Sequence, residues 1–261
     1  RAEFLLFKVE LGSRHLDTCI SLNNLAGLYS SQGRYNEAEP LYLEALEICK
    51  AELGKRHRYT ALSLNNFAGI YESQERYSEA ESLYLEALEI CKSALGSRHH
   101  TTATSLSNLV ELYRLQGRYA DAEPLLVEIL AINKAELGEH HPDTATSLNN
   151  LAFMYSLQGR YSEAEPLLIE ALAINKGELG ERHHGTANSL LNLAGFYFKV
   201  QWPQKALPVI QAAIEIYISS LGNDHPTTKT AQHLLRLIRL QLVIQRLKGR
   251  IRRWLRRAQR E

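Results

Sequence analysis

Apolar residues recur along this chain in a helical rhythm, and the rhythm itself repeats. LNNLAGLYSSQGRY (residues 22–35) returns as LNNFAGIYESQERY (64–77), LSNLVELYRLQGRY (106–119), LNNLAFMYSLQGRY (148–161) and LLNLAGFYFKVQWP (190–203), each copy starting 42 residues after the last. In the second copy Leu64, Phe67, Ala68 and Tyr71 stand at i, i+3, i+4 and i+7, one apolar face of a helix, which predicts helix A over about 60–74. Ala80, Tyr84, Ala87, Leu88 and Cys91 form a second stripe and predict helix B, starting at Ser78. Between them lies a turn at Glu75-Arg76, where other copies carry Gly33, Gly117 and Gly159, residues free to adopt the left-handed conformation that ends a helix. Ser78 with Glu81, and Ser162 with Glu165, read as capping boxes. Pro40, Pro124, Pro166 and Pro208 are expected in the first turn of helix B, where a missing N–H costs little. Helix B ends near a Leu-Gly pair that keeps the same beat from Leu11-Gly12 to Leu221-Gly222, with Gly54 as a C′ residue.

Such a period means a stacked array, in which each unit buries its apolar face against its neighbours. The units fall at 17–54, 59–96, 101–138, 143–180 and 185–222. Residues 1–12 align with the end of a preceding helix B, so Phe4, Leu5, Leu6 and Phe7 would lie on a cut face and the natural protein is expected to continue upstream. Residues 227–247 read as a capping helix and 248–261 as a basic tail, with Gly249 a weak point. Ala26, Ala68, Ala152 and Ala194 of helix A should face Ala38, Ala80, Ala164 and Ala206 of helix B, letting the axes approach closely. Tyr29, Tyr71, Tyr113, Tyr155 and Tyr197 should fill the space between units. The turn at Trp202-Pro203, which replaces Arg-Tyr, is expected to be shaped differently.

The small-residue pairs, the late Tyr of helix A and the Gly-x-Tyr before helix B resemble the tetratricopeptide repeat. The 42-residue form with HPDTATSLNNLA (141–152) and YSEAEPL (161–167) is similar to the kinesin-light-chain type, found also in long bacterial arrays. The resemblance implies an all-α, right-handed superhelical solenoid of antiparallel helix pairs, with helix A lining the inner face. It also implies a non-enzymatic scaffold that binds a peptide or helix of a partner protein in that groove. Two other roles remain open: the sensor or regulatory arm of a larger bacterial signalling ATPase or effector enzyme, and a kinesin-light-chain-like cargo adaptor.

Charge adds one feature. The net charge is +1, but residues 236–261 hold ten Lys or Arg and one acid. A basic amphipathic helix of this kind caps an array or meets an anionic partner. Cys49 and Cys91 share a repeat position with Asn133, Asn175 and Tyr217, so no thiol is demanded there; all three cysteines read as reduced and the chain as cytoplasmic. No apolar run reaches membrane-spanning length.

The candidate site is the helix A face opposite the core. There stand Asn23, Asn24, Asn65, Asn66, Asn108, Asn149, Asn150 and Asn192. A side-chain amide carries donors and an acceptor and can pair with a peptide backbone irrespective of sequence; it can equally tie one unit to the next. Gly27, Gly69 and Gly195 would leave room, while Glu111 and Phe153 stand at the equivalent position. The groove's charges are Glu72, Glu111, Arg114 and Lys199, too few and too scattered to clamp a terminal carboxylate. His15, His57, His99, His141, His183 and His225 recur with the period. They would be too far apart to share one metal ion, so they read as loop caps. No nucleophile elbow, zinc-protease motif or phosphate loop is present. No catalysis, cofactor or small-molecule substrate is therefore expected of this stretch.

Overall fold

The computed structural model describes the backbone of residues 16–258 and the side chains through Arg252. The cut face at Phe4 to Phe7 and the cap expected at His15 lie outside the described residues, which form eleven α-helices and no strand. They fall into two units divided after Glu136. The first holds α1 (Leu16–Ser31), α2 (Tyr35–Glu52), α3 (Arg58–Ser73), α4 (Tyr77–Leu95), α5 (His100–Leu115) and α6 (Tyr119–Glu136). The second holds α7 (Pro142–Leu157), α8 (Tyr161–Leu179), α9 (His184–Lys199), α10 (Pro203–Leu221) and α11 (Pro226–Ala258). Within each unit, helices pair as antiparallel hairpins and each hairpin packs on the next. This is the all-α, helix-pair architecture that the period predicts. The paired alanines, such as Ala152 with Ala164 and Ala194 with Ala206, are completely buried in the seams.

Two turns alternate. The turn inside a hairpin ends helix A with a left-handed residue: Gly33, Gly117 and Gly159 at φ 69–76°, but Glu75 and Gln201 at φ 60°. A side chain in that region costs about 1–2 kcal/mol. Glu75→Gly is therefore expected to raise the stability of the first unit by up to about 1 kcal/mol, read as a higher urea midpoint at constant slope. The turn before Trp202 is not differently shaped. Trp202 N–H donates to Tyr197 O at 2.8 Å, as Arg76 N–H does to Tyr71 O. The backbone bond, not the side chain, sets this turn.

The turn between hairpins is locked by three residues spaced three apart. Gly180 (φ 92°, ψ 160°) occupies a region open essentially to glycine alone. Its carbonyl accepts from Thr186 Oγ1 at 2.7 Å and from His183 N–H at 3.3 Å. His183 Nδ1 in turn accepts from Gly185 N–H at 3.1 Å, capping α9. His57, His99, His141 and His225 cap their helices in the same way. Thr60, Thr102, Thr144 and Thr228 repeat the threonine bond to the preceding glycine carbonyl.

Three further local expectations fail. Helix B starts one residue early, at Tyr77 and Tyr161, and its N-cap residues Arg76 and Arg160 make no side-chain cap. Ser78 and Ser162 thus lie inside the helix. Glu81 and Glu165 turn to the following hairpin instead: Tyr113 Oη donates to Glu81 at 2.9 Å and Tyr197 Oη to Glu165 at 3.0 Å. Arg118 bridges to Glu81 at 2.7 Å, holding its carboxyl below the usual range, and covers the Tyr113 ring at 4.3 Å. Lys205 plays that part for Glu165. Tyr71, Arg76 and Glu39 form the equivalent joint. For the same reason Pro40 and Pro166 sit at the sixth helical residue rather than in the first turn, giving up a helical hydrogen bond.

The third failure is the cysteines. Cys19 of α1 and Cys49 of α2 are joined in a disulfide with Cα atoms 6.2 Å apart. Cys91 is free and buried, its sulfur 3.4 Å from Ser105 Oγ. Comparison along the repeat sets Cys49 beside the asparagines at its own position; its partner Cys19 stands where the other four hairpins have alanine.

Candidate functional site

Three successive first helices of the second unit, α7, α9 and α11, line a cleft of about 430 Å³. Asn149, Asn150 and Phe153 enter it from α7, Asn192 and Lys199 from α9, and Thr230 and Leu234 from α11. Leu168, Leu191 and Phe196 supply more apolar surface. Phe153 is 52% exposed, unusual for a residue of its size. Lys199 Nζ donates to the Ser156 carbonyl at 2.6 Å, which fixes its ammonium at the cleft.

Two substitutions in the repeat open this cleft. In the first unit, a Cβ on Gly27 would meet Tyr42 Oη at 3.4 Å, and one on Gly69 would meet Tyr84 Oη at 3.7 Å. The space beside these glycines is therefore already filled by tyrosines of helix B. In the second unit the equivalent residues are Leu168 and Ile210, and nothing lies within 4 Å of a Cβ on Gly195. Of the three glycines expected to leave room, only Gly195 does.

The second substitution acts on the amides. Asn23 Nδ2 donates to Ser63 Oγ at 2.8 Å and Asn65 Nδ2 to Ser105 Oγ at 3.1 Å. In the first unit these amides tie hairpin to hairpin. The corresponding serine for Asn149 is Ser189, but Asn175 stands where the first two hairpins have Cys49 and Cys91. Its amide takes that hydroxyl at 2.8 Å. Asn149 donates no hydrogen bond among the described residues, and its Oδ1 is buried without a partner there. Asn150 and Asn192 are exposed.

The remaining candidates are dispersed. Asn24 is exposed, and Asn66 and Asn108 are half-buried on their own helices. Glu72 accepts from Tyr84 Oη at 3.1 Å, and burial raises its pKa. Glu111 and Arg114 pair with each other in a two-pronged ion pair at 2.5–2.6 Å. Among the described residues no group of His, Cys, Asp or Glu could hold a metal. The signal that sequence reading missed is the change from Tyr42 and Tyr84 to the aliphatic Leu126, Leu168 and Ile210. It lies in helix B, so the helix A face alone did not show it.

The chain belongs to the tetratricopeptide repeat family, whose repeat matches residues 6–51, 17–93, 59–135, 101–177 and 147–200, with another form matching 186–227. Among solved structures it resembles a putative kinesin light chain with nearly identical repeats from Podosopora anserina. The identity is 26% over 79% of this chain and 98% of that one, at a TM-score of 0.70. BtubC (BKLC) of P. vanneervenii is 23% identical over 86% of this chain and 89% of that one, also at 0.70. A signal transduction ATPase with a tetratricopeptide repeat sensor, PH0952 from Pyrococcus horikoshii, is 17% identical. The likeness covers 89% of this chain but 35% of that one, at a TM-score of 0.67. Among curated proteins none matches.

Proposed function

We propose that this chain is a protein-interaction scaffold whose second unit takes a segment of a partner protein in the cleft between α7, α9 and α11. The observation that carries the reading is the pairing of free amides with an apolar floor. Asn150 and Asn192 are exposed on neighbouring helices, and Asn149 is released by Asn175. Phe153, Leu191 and Leu234 give a side-chain anchor beside them. Amides meet a peptide backbone and the apolar surface selects the side chain, a division common to peptide-recognition grooves. In the first unit Asn23 and Asn65 are already engaged by serines of the next hairpin.

Peptides selected from a random library on the wild type should bind Asn150→Ala/Asn192→Ala at least about fivefold more weakly, from two lost hydrogen bonds of about 0.5–1.5 kcal/mol each. Phe153→Ala should weaken the same peptides and shift their apolar preference. All three side chains are exposed, so the fold is not at stake. Equal binding to all variants would move the site elsewhere.

A further inference from the structure

The last helix has two apolar faces. One packs on the array: Ala231 and Ile238 are fully buried, and Leu234, Leu235 and Leu242 join the same core. Gln241 and Gln245 extend this face by donating to the carbonyls of Phe198 and Gln201 at 3.3 and 2.9 Å. The other face is Leu240, Val243, Ile244, Leu247 and Ile251, each between 41% and 57% exposed. At about 100° per residue this second stripe is centred on the side opposite Ile238. α11 also outruns its role: it is 33 residues long where the other first helices of the hairpins are 16, and it passes unbroken through Gly249. A cap explains the inner face but not an aliphatic stripe turned to solvent.

The charges say what covers it. Arg239, Arg246 and Arg250 run along one flank of the stripe and Lys248 stands on the other, all exposed. Between Asp224 and Glu261 the sequence has no acid. We propose that the outer face of α11 lies on an anionic phospholipid bilayer, with Leu240, Leu247 and Ile251 entering the acyl boundary and the basic flanks meeting the headgroups. This is the mode of an interfacial amphipathic helix, which rests on a membrane and does not cross it; no described helix is long and apolar enough to cross one. Three other occupants fit worse. A second copy would set basic flank against basic flank with no acid to offset them. A nucleic acid would satisfy the arginines and leave the aliphatic stripe in water. A protein groove that wraps a helix would collide with the array around Leu240 to Gln245, where the array holds the opposite face. A bilayer is flat and needs one face only. The proposal is independent of the peptide cleft.

The test is flotation of the whole chain with vesicles of phosphatidylcholine and phosphatidylserine, beside vesicles of phosphatidylcholine alone. The expected result is binding to the anionic vesicles only, weakened by salt. Arg246→Gln and Arg250→Gln should each cost about fivefold in partition. Leu247→Asp/Ile251→Asp should abolish binding while leaving peptide binding and circular dichroism unchanged, because both side chains are exposed. Absence of flotation with the anionic vesicles, or equal flotation with both kinds, overturns the proposal. So does binding to single-stranded RNA, without flotation, that survives Leu247→Asp/Ile251→Asp, or a solution dimer, without flotation, that the same variant dissolves.

Discussion

Replacing Tyr217 with alanine is expected to remove about 3–5 kcal/mol from the stability of the second unit, the usual cost of emptying a large aromatic site in a core. Tyr217 has no exposed surface and lies in the cluster that joins α9, α10 and α11. It occupies the repeat position held by Cys49, Cys91 and Asn175 in other hairpins, so the last hairpin puts the largest side chain there, where α11 packs. Its hydroxyl donates to Asn188 Oδ1 at 2.6 Å, and burial pushes its pKa up to about 12. Tyr217→Phe separates the two contributions. Asn188 is exposed and rehydrates when the hydroxyl is gone, so that variant should lose only about 0.5–1.5 kcal/mol. Urea denaturation followed by Trp202 fluorescence reads both. Comparable losses in the two variants would show that the hydrogen bond, and not the packed ring, carries the stability.

Reducing the Cys19–Cys49 bond is expected to destabilise the first unit by roughly 3.5–4 kcal/mol, the scale for a bridge closing a loop of this length. Alkylation of the unfolded, unreduced protein should label Cys91 alone. The repeat offers a stricter check. Ala61 and Cys91 stand 42 residues beyond Cys19 and Cys49, and both are fully buried in one cluster. Ala61→Cys should therefore form a second bridge, seen as the loss of two hydrogens by mass and of all alkylation without reductant. Three labelled thiols in the unreduced wild type would show that the first bridge does not form.

Much of this architecture was legible in the sequence. The period implied consecutive helix pairs, and the helical spacing of Leu64, Phe67, Ala68 and Tyr71 marked the buried face of α3. The recurring histidines read as caps, and their Nδ1 atoms cap five helices. What was not legible depended on a second helix. Cys19 pairs with Cys49 across a hairpin, while comparison along the repeat set Cys49 beside asparagines that never meet it. Glu81 looked like a capping partner for Ser78 because both are local; Tyr113 and Arg118 of the next hairpin compete for its carboxylate and win. The amides of Asn23 and Asn65 carry the same sequence signal as that of Asn149. What separates them is Asn175, a helix B residue that claims the Ser189 hydroxyl. A face read from one helix shows which residues point outward, not which of them a neighbour has already taken.

The joint built from Glu81, Tyr113 and Arg118 has a consequence for how such a chain can lengthen. Every group in it belongs to one hairpin or the next, and the Gly-His-Thr corner reaches no further. A duplicated stretch of 42 residues therefore arrives carrying both halves of each fastening and splices in at any corner without new partners. A stretch of any other length would set a glutamate opposite the wrong tyrosine. Growth by whole modules is thus built into the chemistry of the seams, and the freedom to diversify falls to positions such as Leu168 and Asn175 that fasten nothing across more than one seam.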